Sequence, residues 1–201
     1  MNVAIVKYNA GNVFSVINAV RRLGVEPLWT DNAEELMNAD RVIFPGQGEA
    51  SHAMNYLRQH GLDKVICDLK QPVLGICIGQ QLLCKHSEEG DTDCLGIFPM
   101  EVKRFIPQKH EDKVPQMGWN SLNITPQNSN LFKGLNDGDF VYFVHSYYVP
   151  LHDEYTIAKT DFTLEYSAAI HKDNFYATQF HPEKSGAVGE QILRNFMQIE
   201  R

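Results

Sequence analysis

The sequence has no CxxC pair: its four cysteines stand at positions 67, 77, 84 and 94. Zinc ribbons and dithiol redox motifs need two thiols within about one turn of each other, so neither is indicated. No apolar run approaches the roughly 18 residues that a membrane-spanning helix requires. Basic clusters are missing too. With 18 Lys and Arg against 25 Asp and Glu, the formal charge is −7, which argues against nucleic acid or anionic lipid as the main partner, since both need concentrated cations. There is no phosphate-binding P-loop, no internal repeat and no low-complexity linker. The opening MNVAIVKY reads as a strand rather than as a signal peptide. A cytoplasmic chain with free thiols and no metal or other cofactor is therefore expected. Cys67, Cys84 and Cys94 are expected to be small buried hydrophobes, with Cys84 two helical turns beyond Cys77 and pointing inward beside Leu82 or Leu83.

What is present suits a globular protein. At 201 residues, 43% hydrophobic and 21% charged, the chain predicts one domain over 1–201 with a sizeable core. Its first half alternates strand and helix patterns: strand 2–8, helix 12–24, strand 27–30, a weak helix at 33–39, strand 41–46, amphipathic segments over 50–71, then the apolar VLGIC. Such alternation implies a doubly wound, mostly parallel central sheet flanked by helices, with sites at the carboxyl ends of strands. After about residue 95 the stretches at 100–105, 139–149, 155–160 and 175–181 are strand-like and separated by turn signals, which predicts antiparallel strands in the C-terminal half. A final amphipathic helix is expected over 187–199.

Three places could carry chemistry. In GICIG, Cys77 stands where strand pattern gives way to helix pattern, so its side chain would be exposed on a tight turn near the amides of a helix start. Those features favour a reactive thiolate; the alternative is a core cysteine. In HPEKS, Pro182 forces His181 into an extended conformation, and in an extended chain residues i and i+2 project to one side, so Glu183 can reach the imidazole. A carboxylate held there fixes the tautomer and steadies the imidazolium; the alternative is a surface triplet. In PGQGEAS the glycines at a strand end free amides to face an anionic oxygen, or simply serve a flexible turn.

These residues resemble the class I (triad) glutamine amidotransferases, in which the cysteine attacks the side-chain amide of glutamine and ammonia is released. The likeness rests on GICIGQQ, HSEEG and HPE, and it runs through essentially the whole chain. Within the class, PGQG, VPQMGWN (114–120) and FVHSYYV (143–149) are similar to the glutaminase subunits of imidazole glycerol phosphate synthases in histidine biosynthesis. The resemblance implies Cys77 as nucleophile, His181 as base and then acid, and Glu183 as its orienter. It places the oxyanion hole at Gly46, Gln47 and Ile78, with the Gln47 amide available only after a peptide turns over. Gly48, Gln81 and Glu89 match positions that hold the substrate glutamine, whose ammonium a carboxylate can neutralise. His145, Ser146 and Tyr147 match the segment that grips its other end. The sequence departs from the usual pattern at Gln47, Ile78, Gln80 and Gln116, none of them a catalytic side chain.

Nothing in the chain could bind a phosphorylated sugar or close an imidazole ring. The resemblance implies a separate (β/α)8-barrel cyclase subunit, docked over the Cys77 face as a heterodimer, that receives the ammonia and speeds glutamine hydrolysis. Trp119 and Asn120, with Tyr147 and Lys184, are the candidate contacts, although Trp119 could equally be a core aromatic at a strand-end turn. The competing readings are a glutaminase serving a different synthase, a γ-glutamyl hydrolase, a redox or protease relative, and a non-catalytic binding module on the same fold.

Overall fold

The structure, a computed structural model, describes residues 1–8, 11, 13–46, 48–109, 112–125 and 129–200. The first half runs β1 (Val3–Val6), α1 (Phe14–Arg22), β2 (Leu28–Thr30), α2 (Ala33–Asn38), β3 (Arg41–Phe44), α3 (Ala50–Gln59), α4 (Leu62–Asp68), β4 (Val73–Ile76) and α5 (Ile78–Leu83). There follow β5 (Cys84–Ser87), β6 (Thr92–Asp93), β7 (Phe98–Arg104), β8 (Gln116–Ser121), β9 (Asn123–Ile124), β10 (Phe140–His145) and β11 (Tyr147–Tyr148). The chain closes with β12 (Thr156–Asp161), β13 (Glu165–Lys172), β14 (Phe175–Thr178) and α6 (Gly186–Gln198).

Eight strands form the main sheet in the order β2-β1-β3-β4-β14-β13-β12-β9. Pairing is parallel from β2 through β14 and antiparallel from β14 to β9. The core lies on both faces. Val3 and Ile5 of β1 pack with Val16, Ile17 and Val20 of α1 and Ile192, Leu193 and Phe196 of α6, while Ala4 and Val6 pack with Ala53, Met54 and Leu57 of α3 and Leu62 and Ile66 of α4. Burial of alternate residues on opposite faces is why these strands are apolar throughout instead of alternating with polar residues. Of the helix starts, α2 is set by Asn32, whose side chain accepts from the amides of Glu34 and Glu35 at 2.9 and 3.2 Å; this is the standard N-cap use of asparagine.

Several details differ from expectation. The strand foreseen over 139–149 breaks at Ser146: β10 pairs with β8, whereas β11 pairs with β7 in a different small sheet. β13 was not foreseen, because EYSAAIHK has few β-branched or aromatic residues. Its Tyr166, Ala168, Ala169 and Ile170 are nonetheless fully buried, and burial inside the sheet overrides weak propensity. Finally, α5 stops at Leu83, and Cys84 begins β5 rather than riding a second helical turn. Cys84 is buried as expected, but Cys67 is exposed and Cys94 only half-buried, while Cys77, whose side chain was expected to be exposed, is buried with only 8% of the residue accessible. No helix among the described residues is long and apolar enough to cross a membrane.

Candidate active site

The parallel neighbours β4 and β14 bring Cys77 and His181 to one edge of the sheet. Gly75 and Ile76 stand opposite Ala177 and Thr178, so the residues following each strand emerge side by side. Cys77 occupies the single position between β4 and α5 with φ 54° and ψ −110°, a backbone conformation that costs a residue with a Cβ about 1–3 kcal/mol. Neighbours hold it there. The Cys77 amide donates to the Thr178 carbonyl at 2.7 Å, and the Cys77 carbonyl accepts from the amides of Gln80 and Gln81 at 3.0 and 3.4 Å.

The glycines around this elbow are required by close approach. A Cβ on Gly79 would lie 2.1 Å from the Phe44 carbonyl oxygen, and one on Gly46 would lie 1.8 Å from Cγ2 of Ile78 and 2.7 Å from the Gly79 nitrogen. The end of β3 therefore rests backbone to backbone on the start of α5. This places Gly46 beside the first amides of α5, which as helix-start donors lack intrahelical acceptors. Gln47, the other expected oxyanion donor, lies outside the described residues. Gly48, at φ 123°, lines the cleft.

His181 is pinned by β10. Its amide donates to the Tyr142 carbonyl at 2.9 Å, and its carbonyl accepts from the Ser185 hydroxyl at 2.6 Å while that hydroxyl accepts from the Tyr142 amide at 3.0 Å. Nδ1 of His181 meets Oε1 of Glu183 at 2.7 Å, with both side chains 2% exposed. Since the carboxylate only accepts, Nδ1 carries hydrogen and Nε2 is left for proton exchange. Nε2 is buried without a fully formed hydrogen bond of its own in this resting arrangement. Burial by itself disfavours the imidazolium, but the adjacent Cys77 sulfur and then the Glu183 carboxylate more than offset it, and the His181 pKa is raised to about 10.

A cleft of about 490 Å³ opens over these groups, lined by Gly48, Cys77, Ile78, Gln81, Glu89, Pro115, Tyr142, Val144, His145, Ser146, Tyr147, His181 and Lys184. It thus gathers the expected nucleophile and base and every described residue expected to hold glutamine. Gln81 is buried, and its Nε2 donates to the Tyr147 carbonyl at 3.0 Å. Glu89 is half-buried, and its Oε2 accepts from the Ala50 amide at 2.9 Å, so it caps α3 while facing the cleft. Burial pushes the Glu89 carboxyl pKa up, and the Ala50 amide opposes the shift. His145 turns into the protein: Nδ1 meets the Tyr147 carbonyl at 2.7 Å and Nε2 meets the Tyr166 hydroxyl at 3.1 Å.

Trp119 and Asn120 stand outside the cleft. Trp119 is 56% exposed within β8, which rules out the core-aromatic alternative and the strand-end turn. Asn120 donates from Nδ2 to the Asp161 carbonyl at 2.6 Å and accepts from the Ser121 amide at 2.9 Å, so its side chain is already bound within the chain. Lys184 reaches the cleft rim. Sequence reasoning missed Gln179, whose Nε2 lies 3.6 Å from the Cys77 sulfur, and Tyr166, whose hydroxyl joins His145 to Gln116. A polar Gln inside the apolar run FYATQF was the available signal for the first. The second lay on the unforeseen β13.

The family described as Glutamine amidotransferase class-I matches residues 4–199. Among curated relatives, the imidazole glycerol phosphate synthase subunit HisH of Bacteroides thetaiotaomicron is 61% identical over 199 residues, covering 99% of this chain and 100% of the relative. The subunit of the same name from Methanosarcina mazei is 46% identical, covering 98% of both chains. Of solved structures, one titled as a glutamine amidotransferase matches with a TM-score of 0.75 at 18% identity over 98% of both chains. Another, from Thermotoga maritima, matches with a TM-score of 0.67 at 16% identity, covering 98% of this chain and 83% of that one; these two establish the fold. By sequence, fold and the elbow cysteine at the carboxyl edge of its sheet, the chain belongs to the class-I glutamine amidotransferases, among the HisH subunits of imidazole glycerol phosphate synthase.

Proposed function

We propose that the chain, acting as one glutaminase domain in the cytoplasm, hydrolyses L-glutamine through Cys77, His181 and Glu183 and passes the ammonia to a separate (β/α)8-barrel cyclase subunit. The Cys77 proton resides on Nε2 of His181, whose raised pKa favours the imidazolium, and the ionised sulfur attacks the side-chain carboxamide carbon. The amides of Ile78 and Gln47 receive the charge that develops on oxygen, each such donor contributing roughly 2.7–4 kcal/mol. His181 then gives the proton to the leaving nitrogen, so ammonia departs and a γ-glutamyl thioester remains. Water, deprotonated by the same imidazole, attacks the thioester and frees glutamate, while the thiol regains its proton. Glu183 keeps the imidazole in the required tautomer throughout. Glu89 suits the ammonium of a free amino acid.

The observation that carries this reading is the 2.7 Å His181–Glu183 contact, with Nε2 left free beside the sulfur of a strained elbow. The test is Cys77→Ala in the complex with the cyclase: glutamine-dependent synthesis should vanish while ammonia-dependent synthesis persists. Equal loss of both would overturn the nucleophilic role.

A further inference from the structure

The Cys77 sulfur has a hydrogen-bonding neighbour outside the triad. Gln179 lies between β14 and His181, is fully buried, and is anchored by its amide to the Ala168 carbonyl at 2.8 Å. Its Nε2 stands 3.6 Å from the Cys77 sulfur. Its Oε1 accepts from Nε2 of Gln81 at 2.9 Å.

Which end of each amide faces which neighbour follows from the partners. The Tyr147 carbonyl can only accept, so the end of Gln81 that faces it at 3.0 Å must be the NH2. The same NH2 spends its second hydrogen on Gln179, so the atom of Gln179 there must be oxygen. The NH2 of Gln179 is thereby forced toward the sulfur. A backbone carbonyl that cannot turn over thus sets the orientation of two side-chain amides, and it is itself fixed by a second donor, Nδ1 of His145 at 2.7 Å.

We propose that Gln179 is a further catalytic residue, whose buried side-chain N–H stabilises the Cys77 sulfur once its proton has passed to His181 and holds it in line for attack. A donor favours the ionised sulfur over the thiol, and inside a protein a hydrogen bond to a charged group is among the stronger ones. The Val144 carbonyl, 3.8 Å from the same sulfur, can accept only from the protonated thiol. Gln179 and Val144 therefore favour opposite protonation states.

The inference rests on Cys77 being the nucleophile, and the test separates the two. Gln179→Glu keeps the acceptor for Gln81 but removes the donor and adds negative charge beside the sulfur; Gln179→Met removes the donor without adding charge. In complexes with the cyclase, iodoacetamide alkylation of Cys77 followed against pH should show its midpoint raised by about one unit in Gln179→Met and more in Gln179→Glu. Glutaminase kcat should fall about tenfold or more, with KM nearly unchanged in Gln179→Glu, while ammonia-dependent synthesis holds in both variants and the thermal midpoint holds in Gln179→Glu, which keeps the acceptor for Gln81. A merely structural Gln179 would move the thermal midpoint and leave the alkylation profile in place. An unchanged profile and kcat in whichever variant folds overturns the role of Gln179 alone. Failure of wild-type Cys77 to react overturns the nucleophile assignment and this inference with it.

Discussion

Two buried imidazoles some 36 positions apart in the chain are driven in opposite directions by their partners. His181 faces a carboxylate and a sulfur, and its pKa rises. His145 hydrogen-bonds to neutral oxygens, those of Tyr147 and Tyr166; burial dominates, the charge of His181 adds to it against the opposing Tyr147 carbonyl, and its pKa falls to about 4. The sign of the consequence follows from linkage. Between about pH 4 and 6.5 the unfolded chain binds a proton at His145 and the native chain does not, so stability rises with pH in that window and is lost as pH falls through it. The loss should reach about 3 kcal/mol by pH 4. Denaturant unfolding at pH 7 and pH 4.5 checks this: His145→Gln should be less stable at pH 7 but show a shallower decline on acidification, and an equal decline would refute it. The His181–Glu183 pairing was legible in the sequence because both residues are local and Pro182 does hold His181 extended, but the chain then turns into a 3-10 helix at Pro182–Lys184 instead of continuing as the extended segment foreseen. That His145 is neutral and hydrogen-bonded inward was not, because its partners come from β11 and β13.

At the level of elements, the elbow between β4 and α5 was readable as a strand pattern ending in GICIG. Its packing was not. Gly79 lies inside α5, where alanine would ordinarily favour the helix by up to about 1 kcal/mol. The Phe44 carbonyl, 2.1 Å from where that Cβ would stand, reverses the expectation. Gly79→Ala should lower stability by about 1–3 kcal/mol, the usual cost of overpacking, and should depress glutaminase activity by pushing β3 and Gly46 away from Ile78. Chemical denaturation together with a glutaminase assay would decide it; an unchanged or increased stability would mean that the contact is loose. The same limit explains the short α5. Its apolar residues continue into Cys84, but pairing of β5 with β7 ends the helix, and no local signal announces that competition.

Across the whole molecule, β8 and β10 form a two-stranded sheet beside the cleft, with Trp119 opposite Tyr142 and Met117 opposite Val144. Met117, Trp119 and Phe140 are 67%, 56% and 57% exposed. By strand alternation all three share one face with Tyr142, which lines the cleft. Apolar side chains in this position suit the proposed cyclase interface, because a partner seated there would cover the cleft mouth. Trp119→Ala should weaken association with the cyclase about 30-fold or more, as for a hot-spot aromatic. The stability of the isolated chain should change by no more than about 0.5 kcal/mol. Calorimetric titration with the cyclase measures the first and thermal unfolding the second; intact affinity would place the interface elsewhere.

The sequence by itself determined the alternating elements of the first half, the residue types of the triad and the family they belong to. These depend on periodicity, proline and glycine, whose effects act within a few residues. Tertiary structure alone decided that β4 and β14 are neighbours, that Cys77 and His181 therefore meet, that Trp119 faces outward and that Gln179 touches the sulfur. Each of these is fixed by which strand pairs with which among segments distant in the chain, a choice that no local signal carries.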